Sequence, residues 1–384
     1  MVKRLIEFAR HKESLAVGLS FMIFSIIFGS WATRIPDVQN QLQLSEGPLG
    51  RALLGFSIGA LILLPFSSWF MARFTTGKVV FYSAILFCLA FMLPVAAPTY
   101  ILLILACLIA GAVNGVMDVA VNAAATAVEE KNNIVIMSTC HGMFSLGIMI
   151  GGILGSLIAG WGISPLLHMV GMGILMTIAA LFLKNTWLDL PESEVEEGTI
   201  FVLPSGNLLI LGIIGFSIML GEGAIIDWSA VYLKNTLGGS AYLAGLGFAG
   251  FSLAMAIGRF YGDGIIPKYG SKAIVQWGSL LGALGLLIAV LVPYIPIVII
   301  GFTIAGLGFS CVVPILFSAA ARVPGVASGT GIAAVTTSGI MGFLLGPPLI
   351  GFIADEINLA VGLGFVVGLT LLSFLLAGMV KWKT

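Results

Sequence analysis

The sequence predicts an all-α membrane protein: twelve transmembrane helices in two pseudo-symmetric six-helix bundles, with both termini cytoplasmic. Three observations predict it. The 384 residues are 59% hydrophobic and only 9% charged, whereas a soluble domain is about a quarter charged. Apolar runs of about 20 residues recur along the whole chain, long enough for helical spans and unlike the short alternating strands of a barrel. Glycine spacing repeats at half the chain length: Gly151-x3-Gly155-Ser156-x3-Gly160 returns as Gly342-x3-Gly346-Pro347-x3-Gly351, 191 residues later. With 50 glycines in all, close helix packing is expected.

The spans are expected near 14–34, 48–71, 78–97, 99–127, 135–161, 165–184, 206–233, 240–262, 271–292, 294–320, 326–353 and 357–380. The basic start, Lys3-Arg4 and Arg10-His11-Lys12, precedes a full-length span, so the first helix is expected to stay rather than be cleaved. Most joins are short. The exception is 185–205, which carries Asp189, Glu192, Glu194, Glu196 and Glu197 and reads as a solvated acidic linker. It divides the chain into an N-terminal bundle (1–184) and a C-terminal bundle (206–384). With the N-terminus in the cytoplasm, 14 of the 17 Lys and Arg fall on that side, and only Arg34, Arg51 and Lys234 on the other. That bias sets the orientation. A second repeat, Gly77-Lys78 and Gly270-Ser271-Lys272, marks matching turns in the two halves.

Several function classes drop out. Net charge is zero, so nucleic acid is not a partner. Cys88, Cys107, Cys140 and Cys311 all lie in apolar spans, without metal-ligand spacing. Three histidines build no metal cluster, and no GxxxxGK[ST] phosphate loop occurs. The chain is not expected to be an enzyme, and it calls for no cofactor or metal.

Polar residues inside apolar spans are the candidates, because an intramembrane charge is costly and is kept where it faces a wet interior. Asn114, Asp118 and Asn122 are spaced i, i+4, i+8 and share one helical face. Asp118 is the leading proton carrier, with the amides as substrate contacts. His141, in the next span, sits at a similar depth and is the expected relay partner of Asp118. Glu222, between Gly221 and Gly223, is the second proton or substrate candidate, and the flanking glycines allow a kink or a close backbone approach. Asp227, nearer the outer end, is expected to pair with Arg34 or Lys234 in an outer gate, while Arg34 and Arg51 are otherwise expected in structural pairs with Asp37 or Glu46. Arg259 and Asp263 at i, i+4 read as a cytoplasmic latch. Trp31, Trp228, Gln276 and Thr336 are candidate cavity-lining contacts. Gly346-Pro347-Pro348 reads as a helix break.

The chain resembles the major facilitator superfamily over essentially its whole length. Gly258-Arg259-Phe260-Tyr261-Gly262-Asp263 with Lys268-Tyr269-Gly270-Ser271-Lys272 is similar to that superfamily's G-R-x-x-x-D…G-x-K loop. The N-terminal counterpart keeps Arg73 and Lys78 but lacks the Asp. Gly142-x8-Gly151-x3-Gly155 resembles a fifth-helix glycine motif of antiporters, with Ser156 in place of its proline. Met117-Asp118-Val119-Ala120-Val121-Asn122-Ala123 resembles the fourth-helix segment of the fucose-permease-like branch, in which the acid carries the proton. Gly29-Ser30-Trp31-Ala32-Thr33-Arg34-Ile35-Pro36 and Gly221-Glu222-Gly223-x3-Asp227-Trp228-Ser229 resemble the YbjJ-like bacterial transporters. The resemblance implies a secondary transporter, monomeric and multi-pass in a bacterial inner membrane, moving a small polar solute by alternating access with protons. Efflux of amphipathic compounds by antiport, or passive facilitation, are the alternatives.

Overall fold

The computed structural model describes residues 8–192, 206–326, 328–380 and 382, without the side chains of Asp263 and Ser328. Twelve helical spans are long and apolar enough to cross a membrane. They are α1 (Lys12–Gln41), α2 (Glu46–Phe74), α3 (Thr76–Ala96), α4 (Tyr100–Asn132), α5 (Met137–Gly160), α6 (Pro165–Leu188), α7 (Asn207–Thr236), α8 (Ala241–Gly262), α9 (Ser271–Leu291), α10 (Ile295–Ala320), α11 (Gly329–Glu356) and α12 (Leu359–Met379). No strand occurs among the described residues. Large apolar side chains point outward all along these helices, Ile101, Phe182 and Leu375 among them. Bilayer rather than water accommodates such a surface.

The chain divides into two compact units, Met1–Gln43 with Ala52–Glu196, and Leu44–Arg51 with Glu197–Thr384. In the first, α1 packs along α5 and α6, and α3 packs along α4 and α6. In the second, α7 packs along α11 and α12, and α9 packs along α10 and α12. Each pair in the second unit is the first unit's pair with six added, so the repeat read from glycine spacing is also a repeat of packing.

Glycine makes the closest of these contacts possible. A side chain on Gly151 of α5 would run into the Ile26 carbonyl of α1, and one on Gly342 of α11 into the Phe216 carbonyl of α7. Small residues let helix backbones approach where lipid gives no hydrophobic drive to associate. The fifth-helix glycine motif is thus a packing seam in this fold.

Three expectations need correction. Pro347 and Pro348 lie inside a helix that continues to Glu356, so they do not break α11. The stretch from Gly258 is not a loop: the helix that contains α8 runs on to Tyr269 and turns only at Gly270, at φ 80° and ψ 154°. The matching turn in the first unit is Thr75, at φ 76° and ψ 146°, and not Gly77. The repeat register is therefore Thr75 with Gly270.

The linker also starts later than expected. Residues up to Leu188 belong to α6, where Trp187 is fully buried and donates from Nε1 to the Ala16 carbonyl at 2.8 Å. The Glu192 carboxylate then accepts from the Thr76 backbone N–H at 3.1 Å, at the start of α3. Glu194, Glu196 and Glu197 lie outside the described residues.

Candidate functional site

The polar face of α4 follows from its sequence. The helix has 33 residues, about 50 Å at 1.5 Å per residue, so Asp118 sits well inside it. Its capping is ordinary: the Thr99 hydroxyl accepts from the Leu102 N–H at one end, and Asn133 takes a left-handed conformation at the other. Ile101, Leu105 and Ile109 form an exposed apolar stripe in its first half. Asp118 is also exposed, yet it lies nine residues beyond Ile109, half a turn round the helix. One helix thus shows two exposed faces of opposite character, one suited to lipid and one to water. On the polar face, the Asn122 amide donates to the Asp118 carboxylate at 3.3 Å and to the Asp118 carbonyl at 2.9 Å. The Thr126 hydroxyl donates to the Asn122 carbonyl at 3.2 Å. Asn114 is half-buried one turn before Asp118.

His141 on α5 is half-buried, and its ring meets Phe21 of α1 edge-on at 5.4 Å between centroids. The described hydrogen-bond partner of Asp118 is Asn122, and the described ring neighbour of His141 is Phe21.

At the far end of α1 the helix breaks at Thr33–Arg34, and a second short helix follows over Ile35–Gln41. Pro36 explains the break, since proline lacks the N–H that would continue the ladder. Arg34 is buried at 2% exposure and places three donors. Nε donates to Nδ1 of His168 at 2.9 Å, Nη1 to the Asp37 carboxylate at 2.9 Å, and Nη2 to the Ile163 carbonyl at 3.1 Å. The structural pair with Asp37 is present. Arg34 is committed within its own unit, while Asp227 is half-buried on α7.

The second unit holds a buried acid. Gly221 and Gly223 make room for the rings of Phe309 and Phe343, so here the glycines serve close approach rather than a kink, and α7 is continuous through Glu222. Glu222 is 9% exposed. Its Oε2 lies 4.0 Å from Nη2 of Arg259 on α8, while Oε1 has no hydrogen-bond partner among the described residues. A 4.0 Å separation is an ion pair without a direct hydrogen bond. Arg259 thus reaches a buried acid on a neighbouring helix. The side chain of Asp263, its expected latch partner, lies outside the described residues.

Of the remaining candidates, Trp31 and Trp228 are buried, and Gln276 and Thr336 are half-buried. Trp31 is 2% exposed and rests against Phe56 at 5.6 Å. Trp228 is fully buried beside Gly351, and its Nε1 has no partner among the described residues. Gln276 lies at the α9–α12 seam and donates to the Phe374 carbonyl at 3.5 Å. Thr336 is half-buried on α11.

Sequence reasoning missed three polar side chains that hold the first unit together. His168 gave no spacing signal. Glu129 accepts from the Ile136 and Met137 N–H groups at 2.5 and 2.7 Å and so caps α5. Glu13 pairs with Lys131 at 2.7 Å and accepts from the Asn132 amide at 3.1 Å. Their only sequence signal was an acid at or next to a helix end.

A model of the Major Facilitator Superfamily matches residues 14–220 and 211–384. An uncharacterized MFS-type transporter of Yersinia pestis is 34% identical over 354 residues, covering 92% of this chain and 92% of the relative. Among solved structures, the nucleoside transporter NupG superposes with a TM-score of 0.73 at 13% identity, over 97% of this chain and 100% of the other. A D-xylose–proton symporter superposes with a TM-score of 0.71 at 15% identity, over 96% and 99%.

Proposed function

Since this chain belongs to the Major Facilitator Superfamily, we propose that it is a secondary active transporter that carries a small polar solute, coupled to protons, by alternating access. Transport across a membrane is the family's role; the solute class and the coupling are our reading. One observation carries it: the exposed Asp118 carboxylate, bonded to Asn122, on the face of α4 opposite its exposed apolar stripe. An exposed acid at that depth needs water beside it. Asn114 and Asn122 offer both donors and acceptors, which suits a hydroxyl-rich solute such as a sugar or a similar metabolite. The Glu222–Arg259 pair supplies a second charged locus in the other unit.

Protonating Asp118 neutralises the face, so the loaded and empty proteins differ in the cost of reorienting it. The two bundles would act as the moving parts, with both termini cytoplasmic and the protein a monomer in a bacterial inner membrane. The test uses protein in proteoliposomes containing a pH-reporting dye, challenged with sugars, nucleosides and organic acids. The expected result is proton movement with one solute class, lost in Asp118→Asn while solute exchange persists. Normal gradient-driven accumulation by Asp118→Asn would sink the reading. Equilibration indifferent to pH would replace it with a passive facilitator, and responses confined to amphipathic compounds with an efflux antiporter.

A further inference from the structure

The Arg34–His168 contact carries more than packing. The Nε–H of arginine only donates. Because it donates to Nδ1 of His168 at 2.9 Å, Nδ1 holds a lone pair, and the imidazole is neutral with its hydrogen on Nε2. That Nε2 is buried and has no partner among the described residues. The ring is therefore fixed in one tautomer by a permanently charged neighbour.

The elements packed against the start of α6 are α1, the end of α3 and the end of α5. Among the described residues of these elements, the charged groups at His168 are Arg34 and Asp37 of α1. Met92–Ala96 and Leu157–Gly160 bring no titratable side chain. A second proton on the imidazole can enter only at Nδ1, the atom occupied by Arg34, and would leave two cations in contact with one carboxylate between them. Arg34 also supplies backbone to the short helix that follows: its carbonyl accepts from the Asp37 N–H at 3.0 Å and the Val38 N–H at 3.1 Å. Displacing Arg34 therefore loosens the start of that helix.

We propose that Arg34 and His168 form a proton-sensitive latch, closed while His168 is neutral, that ties the break in α1 to the start of α6. This does not depend on the transport reading, since Asp118 and Glu222 take no part in it.

The experiment uses the full-length purified protein. Histidine labelled with 15N gives three pairs of ring-nitrogen signals, from His11, His141 and His168, assigned with His11→Gln and His141→Gln. The expected spectrum at about pH 7.5 shows His168 protonated on Nε2 alone. On acidification well below the range of an ordinary imidazole, both nitrogens carry hydrogen, and amide exchange at Asp37 and Val38 rises by at least about tenfold, after correction for intrinsic pH dependence. In His168→Gln, whose amide oxygen still accepts from Arg34 but takes no proton, exchange stays level. A hydrogen on Nδ1 at pH 7.5 overturns the proposal, and so does an exchange step that is missing from the wild type or survives in His168→Gln. The spectrum alone decides if His168→Gln does not fold.

Discussion

Arg259 on α8 reaches across to Glu222 on α7, with 4.0 Å between Nη2 and Oε2, and Oε1 is left without a hydrogen-bond partner among the described residues. A guanidinium that sequence comparison puts in a turn thus serves a buried acid. The reason is helix length: the helix runs ten residues past Arg259 to Tyr269, which draws the side chain in from the helix end.

The first prediction concerns this pair. Arg259→Ala leaves a buried carboxylate without its cation, a change that costs about 3 kcal/mol in buried pairs. Glu222→Gln added to it removes the stranded charge. The double variant should be more stable than Arg259→Ala by more than about 1 kcal/mol. Unfolding midpoints of the wild type, Arg259→Ala and the double variant check this, and equal midpoints for the latter two would show that no stranded charge is relieved.

A second prediction uses the backbone repeat. Thr75 and Gly270 hold nearly the same conformation, φ 76° and 80° with ψ 146° and 154°. Only glycine enters that region without strain, which costs other residues about 1–3 kcal/mol. Thr75→Gly should therefore raise stability by about 1 kcal/mol, less the backbone entropy glycine adds to the unfolded chain. Gly270→Ala should lower it. Nothing lies within 4 Å of a side chain added at Gly270, so any loss there comes from backbone strain alone. Thermal shifts of opposite sign are the expected result.

Much of the fold was legible because its signals are long. A 20-residue apolar run survives errors of a few residues at either end, so all twelve spans were placed. The charges were harder. Asp118 could be assigned to a face from spacing alone, since i and i+4 neighbours on one helix need no tertiary knowledge. Arg259 with Glu222 and Arg34 with His168 could not, because their partners lie 37 and 134 residues away in sequence. Trp31 and Gln276 looked like cavity linings for a related reason: composition marks a residue as unusual in an apolar span but does not say toward which neighbour it turns.

The third prediction separates packing glycines from idle ones. Gly151→Ala pushes a methyl group into the Ile26 carbonyl of α1, while Gly171→Ala meets nothing within 4 Å. Overpacking of this kind costs about 1–3 kcal/mol. Gly151→Ala should therefore unfold at a lower temperature than the wild type, with Gly171→Ala unchanged or slightly more stable. Gly342→Ala, which meets the Phe216 carbonyl in the second unit, should behave like Gly151→Ala. Unequal losses at Gly151 and Gly342 would mean that the two seams are similar in shape but not in energy.

The last prediction concerns how Asp118 is held. Asn122 gives it one side-chain hydrogen bond at 3.3 Å, and a hydrogen bond to a charged group contributes about 1.5–3 kcal/mol. That bond favours the ionised acid, because the amide donates. Asn122→Ala removes it without touching the carboxylate, so the acid should take up its proton at higher pH than in the wild type. Sign and direction then follow for transport. If proton release from Asp118 limits turnover, the pH profile of solute flux in Asn122→Ala should move toward the alkaline side. Asn122→Asp replaces the donor with a second negative charge and should move it further the same way. Asp118→Asn should show no titration in this range at all. Flux measured across pH in proteoliposomes distinguishes these outcomes. A profile that stays fixed in both Asn122 variants would mean that Asp118 does not set the pH dependence, which would direct attention to Glu222 and its partner Arg259.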